Sequence, residues 1–254
     1  MRISQQIRRV ATAGIVCCAP LLCDNPVYEQ LKTVSAHVEI KKKTEPEPGK
    51  GFVAPVDLSD VVLWLKPLDR SAAEVALTQQ SHTKLQLTQK DKSFKPHVLV
   101  VPVGSAVDFP NRDPFFHNVF SMFDGKRFDL GLYEAGASNS VRFDRLGVSF
   151  LFCNIHPEMS AVVIVVDTPY YGVSDRAGNI TIPNLPDGKY ELHLWYERSL
   201  PEDLRKLTRT INVSSVTKDL GTISVPENPN FSPAHKNKYG QDYTSPHARP
   251  YSHP

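Results

Sequence analysis

Residues 148–166 read VSFLFCNIHPEMSAVVIVV. Val148 to Phe152 and Ser160 to Val166 are short runs rich in β-branched and aromatic residues, bounded by Gly147 and Asp167, and they predict two strands. The second run barely alternates, the pattern of a strand covered on both faces. Between them a short loop carries Cys153, His156 and Met159 at the spacing Cys-x2-His-x2-Met. A two-strand hairpin can aim all three side chains of such a loop at one point. Taken singly, each has a plainer use: a cysteine on an apolar strand is a small hydrophobe, and a lone Met or His is packing or surface. Together, thiolate, imidazole and thioether form a soft-to-borderline donor set that suits copper in both oxidation states better than a hard ion.

A fourth donor is needed, and His117 is the candidate, in PNRDPFFHNVFS (Pro110 to Ser121). Two His, one Cys and a weak axial Met are the donors of a type 1 copper site. Zinc would more often recruit a second Cys or an acid into a closed tetrahedral set. Glu158 lies inside the loop, but a side chain between His156 and Met159 is expected to point outward. The repeated His-x-His pairs of a multicopper oxidase are missing, and Asn154 and Ile155 stand where a binuclear centre needs another cysteine. No nucleophile elbow or acid/base pair is evident, and Gly104, Gly125, Gly131, Gly136 and Gly147 are dispersed turn glycines, not a phosphate loop. One mononuclear set without an open position argues for electron transfer and against an enzyme.

The order His117, then Cys153, His156 and Met159, resembles the cupredoxin (blue copper) family, with a ligand loop near pseudoazurin and amicyanin in length. Upstream, Phe94-x-Pro96, Gly104, Val107, Phe109, Asn111, Asp113 and His117-Asn118-Val119 stand as in that family's β-sandwich, so the resemblance runs from Thr83 to Asp167. More narrowly, the chain is similar to bacterial exported plastocyanin-like proteins of methylamine-utilisation type. In those, a cupredoxin unit adjoins a carboxypeptidase-regulatory-like β-sandwich. VSDRAGNITIPNLPDGKYELHLW (Val173 to Trp195) carries this second, weaker likeness, mostly through its turns. The resemblance implies an all-β fold, with a Greek-key cupredoxin sandwich and a second, small transthyretin-like one. It implies one type 1 copper, with His117 and His156 as equatorial ligands, Cys153 as the short thiolate bond and Met159 as the long axial ligand. Asn118 would hold the ligand loops together and help supply a hydrogen bond to the sulfur, an outer contact of the kind that tunes potential. Phe115, Phe116, Phe120, Phe150 and Phe152 would pack near the site and limit water. His156 would lie near the surface, where an electron from a cell-envelope redox partner protein could enter.

The rest of the chain fits around this unit. Of 254 residues, 41% are apolar and 22% charged, enough for a sizeable core, and 21 prolines against 13 glycines disfavour long helices. No apolar run is long enough for a multi-span membrane protein, and a net charge of +2 without a basic block gives no nucleic-acid footprint. Residues 1–23 pair a basic start (Arg2, Arg8, Arg9) with the uncharged run Val10 to Leu22, which reads as a signal peptide for export to the periplasm, cleaved or kept as an N-terminal anchor. Cys17, Cys18 and Cys23 fall in it, so its removal leaves Cys153 as the one thiol, and 26 basic against 27 acidic residues. Residues 31–69 supply early strands (around Val34 to Ile40 and Val61 to Leu65), 83–167 the cupredoxin unit, and 168–226 the regulatory-like sandwich. Residues 227–254 lack apolar periodicity and are expected to be a disordered tail, His235, His247 and His253 included. Two assemblies are open: the early strands belong to the second sandwich and the copper unit is inserted into it, or the two domains are consecutive. Pairing of the Val61 strand with Lys189 to Trp195 distinguishes them. Besides electron transfer, a cell-envelope binding module and a copper-delivery protein are consistent with the sequence.

Overall fold

The structure is a computed structural model that describes residues 31–42, 57–78, 85–122 and 125–243. The expected leader, the Thr44 to Lys50 stretch whose sequence (TEPEPGK) predicts a turn or hairpin loop, His247 and His253 lie outside the described residues. Among the described residues the first elements are β1 (Lys32–Lys41), β2 (Val62–Pro67) and α1 (Arg70–Thr78). It continues with β3 (Leu85–Gln86), β4 (Thr88–Lys90), β5 (Ser93–Lys95), β6 (Val98–Pro102), β7 (Ser105–Pro110) and β8 (His117–Ser121). Next come β9 (Phe128–Tyr133), β10 (Ser138–Phe143), β11 (Gly147–Phe152) and β12 (Ser160–Val166). The last elements are β13 (Tyr171–Val173), β14 (Asn179–Leu185), β15 (Gly188–Trp195), α2 (Pro201–Leu207), β16 (Arg209–Val213) and β17 (Asp219–Pro226). Among the described residues no helix is long and apolar enough to cross a membrane.

The fold is all-β. In one sandwich the sheet β6-β12-β11-β8-β9 faces the sheet β10-β7-β3. Their shared core holds Phe109, Val119, Phe143, Leu151, Val163 and Val165, together with Cys153 and Met159. In the other, β13-β2-β15-β16 faces β14-β1-β17 around Val34, Val38, Leu63, Leu65, Ile180 and Tyr190. β2 pairs antiparallel with β15, Val62 opposite Trp195 and Leu65 opposite Leu192. This is the pairing that insertion requires: the chain leaves the second sandwich after β2 and re-enters it at β13.

Strand β12 shows why its sequence does not alternate. Ala161, Val163 and Val165 point into the first core. Val162, Ile164 and Val166 point the other way, into a third apolar cluster with Val62, Val98 and Val100, flanked by Trp64 and Trp195. That cluster lies where the two sandwiches meet, and burying its aliphatic side chains stabilises the union by roughly 1.5–3 kcal/mol per large residue.

Some local expectations are corrected. Arg70–Thr78, a polar, small-residue stretch that carries no clear helical pattern, is the helix α1. Helix α2 lies in a stretch given no element in the sequence reading, although Pro201 opens it, Glu202 and Asp203 lie in its first turn, and Arg205 and Lys206 in its last, as the helix dipole favours. Strand β9 is also absent from the sequence expectation. Its Gly131 has φ of 66°, and the register with β8 shifts between Asn118 and Phe120, so a bulge hides its alternation. The largest correction concerns 227–243: this segment is not a free tail but runs from the second sandwich onto the first. Its hold comes from polar and ring contacts rather than apolar periodicity. Lys238 pairs with Asp129 at 2.7 Å, and the His235 ring stacks on Phe152 at 4.0 Å between centroids.

Candidate metal centre

His117 opens β8, whose five residues are all buried, and Val119 of the same face lies in the sandwich core. Cys153 follows β11, continuing the inward face that Leu151 begins. The loop then closes on itself: the Cys153 N–H donates to the Met159 carbonyl at 3.2 Å, and the Met159 N–H to the His156 carbonyl at 3.1 Å. Met159, fully buried, leads directly into β12.

These elements bring His117, Cys153 and His156 together, with one ligand atom from each inside a mutual distance of 4.8 Å. The Cys153 Sγ lies 3.9 Å from His117 Nδ1 and 3.5 Å from His156 Nδ1. A thiolate about 2.3 Å and an imidazole nitrogen about 2.0–2.1 Å from one ion stand about 3.5–3.8 Å apart at tetrahedral or trigonal angles. The donors therefore fit a shared metal ion. Met159 shares the Cys153 core cluster. Glu158 is exposed, as its place in the loop suggests.

Burial pushes the Cys153 thiol up, while the backbone N–H groups of Asn118, Ile155 and His156 pull it down, so the sulfur is dry yet provided with dipoles for negative charge. Burial, and next the His117 ring, lower the pKa of half-buried His156, which keeps it neutral and fit to ligate. Asn118 spans the two ligand segments. Its amide donates to Asp129 at 2.7 Å and to the Gly131 carbonyl at 2.9 Å, and its oxygen accepts the Asn154 N–H at 3.3 Å.

One residue whose role the sequence reading misses is Asp113. Its Oδ2 lies 2.7 Å from His117 Nε2, both groups being buried. An ionised carboxylate only accepts, so Nε2 carries the proton and the Nδ1 lone pair is left facing Cys153. The Asp113 carboxylate also accepts the N–H groups of Asp91 at 2.7 Å and Lys92 at 3.0 Å, residues with φ of 56° and 50° that turn the β4–β5 hairpin. Burial would raise the carboxyl, but Lys92, His117 and Asp91 outweigh it and hold it below the ordinary range. The signal in the sequence is the spacing Asp-x3-His.

The five phenylalanines expected around the site divide. Phe115 alone approaches both imidazoles, 5.1 Å from His117 and 5.6 Å from His156 between ring centroids. Phe116 is 55% exposed. Phe150 points away, toward the contact between sandwiches, because Leu151 and Cys153 take the inward face of the same strand. Phe120 and Phe152 pack on each other, centroids 5.9 Å apart, and His235 covers Phe152.

No protein-family model matches the chain, and no curated protein does. Among solved structures the chain is similar to a purple cupredoxin from Nitrosopumilus maritimus, at 25% identity over 33% of this chain and 100% of that one, with a TM-score of 0.30. It is also similar to the copper-containing nitrite reductase of Thermus scotoductus SA-01, at 25% identity over 39% of this chain and 27% of that one, TM-score 0.32. A reduced mutant of amicyanin matches at 21% identity over 36% of this chain and 90% of that one, TM-score 0.32. Within this chain, an all-β scaffold brings a His-Cys-His group together that can hold a metal ion.

Proposed function

We propose that the chain is an exported blue copper protein that binds one type 1 copper and passes single electrons between redox partner proteins of the cell envelope, without being an enzyme. The observation that carries this reading is the mutual approach of His117 Nδ1, Cys153 Sγ and His156 Nδ1, with Met159 buried in the same core cluster as Cys153. A bound copper supplies the Cu(II)/Cu(I) couple. His117, Cys153 and His156 would hold it, with the Met159 thioether as the weak fourth donor.

The chain's own residues suit electron transfer in three ways. The ligands are rooted in strand β8 and in the loop between β11 and β12, inside one packed core, so they shift little when charge changes. Asp113 fixes the His117 tautomer, and three backbone N–H groups face the sulfur. Half-buried His156 lies beside exposed Phe115 and Ile155, a small apolar rim against which a partner would seat.

Loading the protein with Cu(II) tests the reading. An intense visible thiolate-to-copper band is expected, lost in Cys153→Ser. Met159→Leu is expected to keep the metal and move the potential. A colourless copper-loaded protein refutes the type 1 assignment, and rapid surrender of copper to a weak chelator would favour delivery instead.

A further inference from the structure

Beyond β17 the chain runs from one sandwich to the metal centre of the other. At its start, the Asn228 N–H donates to the Arg198 carbonyl at 2.7 Å, and the Arg198 guanidinium lies over the Phe231 ring at 5.6 Å. At its end it is tied to the ligand loop. The Lys238 N–H donates to the Asn154 side-chain oxygen at 3.0 Å, and the Lys238 ammonium reaches Asp129, the carboxylate that also holds Asn118. Between these ties a turn is built on Asn237, whose side-chain oxygen accepts the N–H groups of Tyr239 at 2.9 Å and Gln241 at 3.0 Å.

Tyr243 then delivers its hydroxyl to the carbonyl of Cys153 itself, at 2.8 Å. The same oxygen lies 3.4 Å from His235 Nδ1. Since the phenol proton points at Cys153, the phenol oxygen accepts and His235 Nδ1 donates, an N–H it shares with the Lys236 carbonyl at 3.2 Å. That tautomer leaves His235 Nε2 as a bare acceptor. Nε2 is buried without a partner among the described residues, and an acceptor tolerates this better than a donor. His235, Tyr243 and the Cys153 carbonyl thus form a directed chain of hydrogen bonds, whose members polarise one another.

We propose that residues 228–243 are a strap that clamps the Cys153 ligand loop, with Tyr243, backed by His235, as a positioning residue that raises the reduction potential of the bound copper. The inference rests on the copper reading above. Its physics has two parts. The hydroxyl presents the positive end of its dipole to the peptide next to the thiolate, which favours the less positive, reduced centre. The strap also covers the Phe152 side of the loop, and excluding water disfavours the more highly charged oxidised centre.

The test uses the full chain with Tyr243→Phe and, separately, Lys238→Ala, which loosens the strap without touching a ligand. In the metal-free protein, the amides of residues 153–159 are expected to exchange with solvent about three- to tenfold faster in both variants. In the copper-loaded protein, the Cu(II)/Cu(I) equilibrium is expected to move at least threefold toward Cu(II), about 28 mV at 59 mV per tenfold. Unchanged exchange in both variants overturns the strap. Faster exchange with an unmoved potential overturns the positioning role and leaves only a structural tie. If the unsubstituted chain forms no thiolate-to-copper band, the copper reading falls and takes the potential with it, while the exchange arm still decides whether the strap holds the loop.

Discussion

Replacing Asp113 with Asn changes one atom in a buried carboxylate that serves three donors. Oδ1 accepts the Asp91 N–H at 2.7 Å, while Oδ2 accepts the Lys92 N–H at 3.0 Å and the His117 Nε2–H at 2.7 Å. An amide has one acceptor oxygen, so whichever way the substituted side chain turns, an NH2 group faces at least one of these donors. A buried donor left without a partner costs about 1–3 kcal/mol, and the metal-free protein should lose about that much stability in urea unfolding. The larger consequence is at His117. Without the charged acceptor the imidazole is less basic at Nδ1 and freer to take the other tautomer. Outer partners of ligating histidines are typically worth 10–100-fold in metal affinity, equivalent to about 1.4–2.7 kcal/mol. Competition against a copper chelator measures this, with the visible spectrum as a check on the site. The reasoning is refuted if Asp113→Asn loses stability but binds copper within about twofold of the parent, for the carboxylate would then be only a clamp on the β4–β5 turn.

Two further outcomes test the union of the sandwiches. Ile164→Ala, at a residue 2% exposed between them, should cost about 2–5 kcal/mol of stability in urea unfolding, and a loss under about 1 kcal/mol would show that the two faces do not pack there. His97 of the first sandwich bonds Glu197 of the second at 2.8 Å, and that hydrogen bond, against the cost of burial, raises the His97 pKa. A raised folded value means the contribution is complete below the ordinary histidine pKa of about 6.5 and disappears as pH rises through the folded value. The pair is partly exposed, so His97→Gln should cost less than about 1 kcal/mol near pH 6 and almost nothing near pH 9, and a gap that widens with pH would contradict the assignment.

Much of the centre is legible because donor chemistry is written in residue types. Cys153, His156 and Met159 at their spacing, with His117 upstream, specify a soft donor set before any fold is known. The uninterrupted apolar run of β12 announces a second cover, and the structure identifies it as the other sandwich. The Val61 strand is recognisable, and Lys189 to Trp195 is named as its partner under the insertion alternative; only the structure chooses between the two assemblies, since pairing with β15 closes a chain separation that no local pattern encodes.

What escapes the sequence reading has a common cause. Asp113, Tyr243 and the His235–Phe152 stack act through a few specific polar or ring contacts, which leave no periodicity to detect. Phe150 is expected near the metal because it is close in sequence to Cys153, and strand alternation sends it to the opposite face. A tail rich in Pro, Asn and His reads as disordered because it cannot bury a core of its own, yet residues 228–243 need none, since they dock on a surface already folded. The sequence by itself pointed to the candidate donors, most of the strands and which faces are apolar, because these follow from side-chain chemistry and local alternation. Only the tertiary structure decided what covers each face, which carboxylate orients His117 and which hydroxyl reaches Cys153, because those depend on distances between segments remote in the chain.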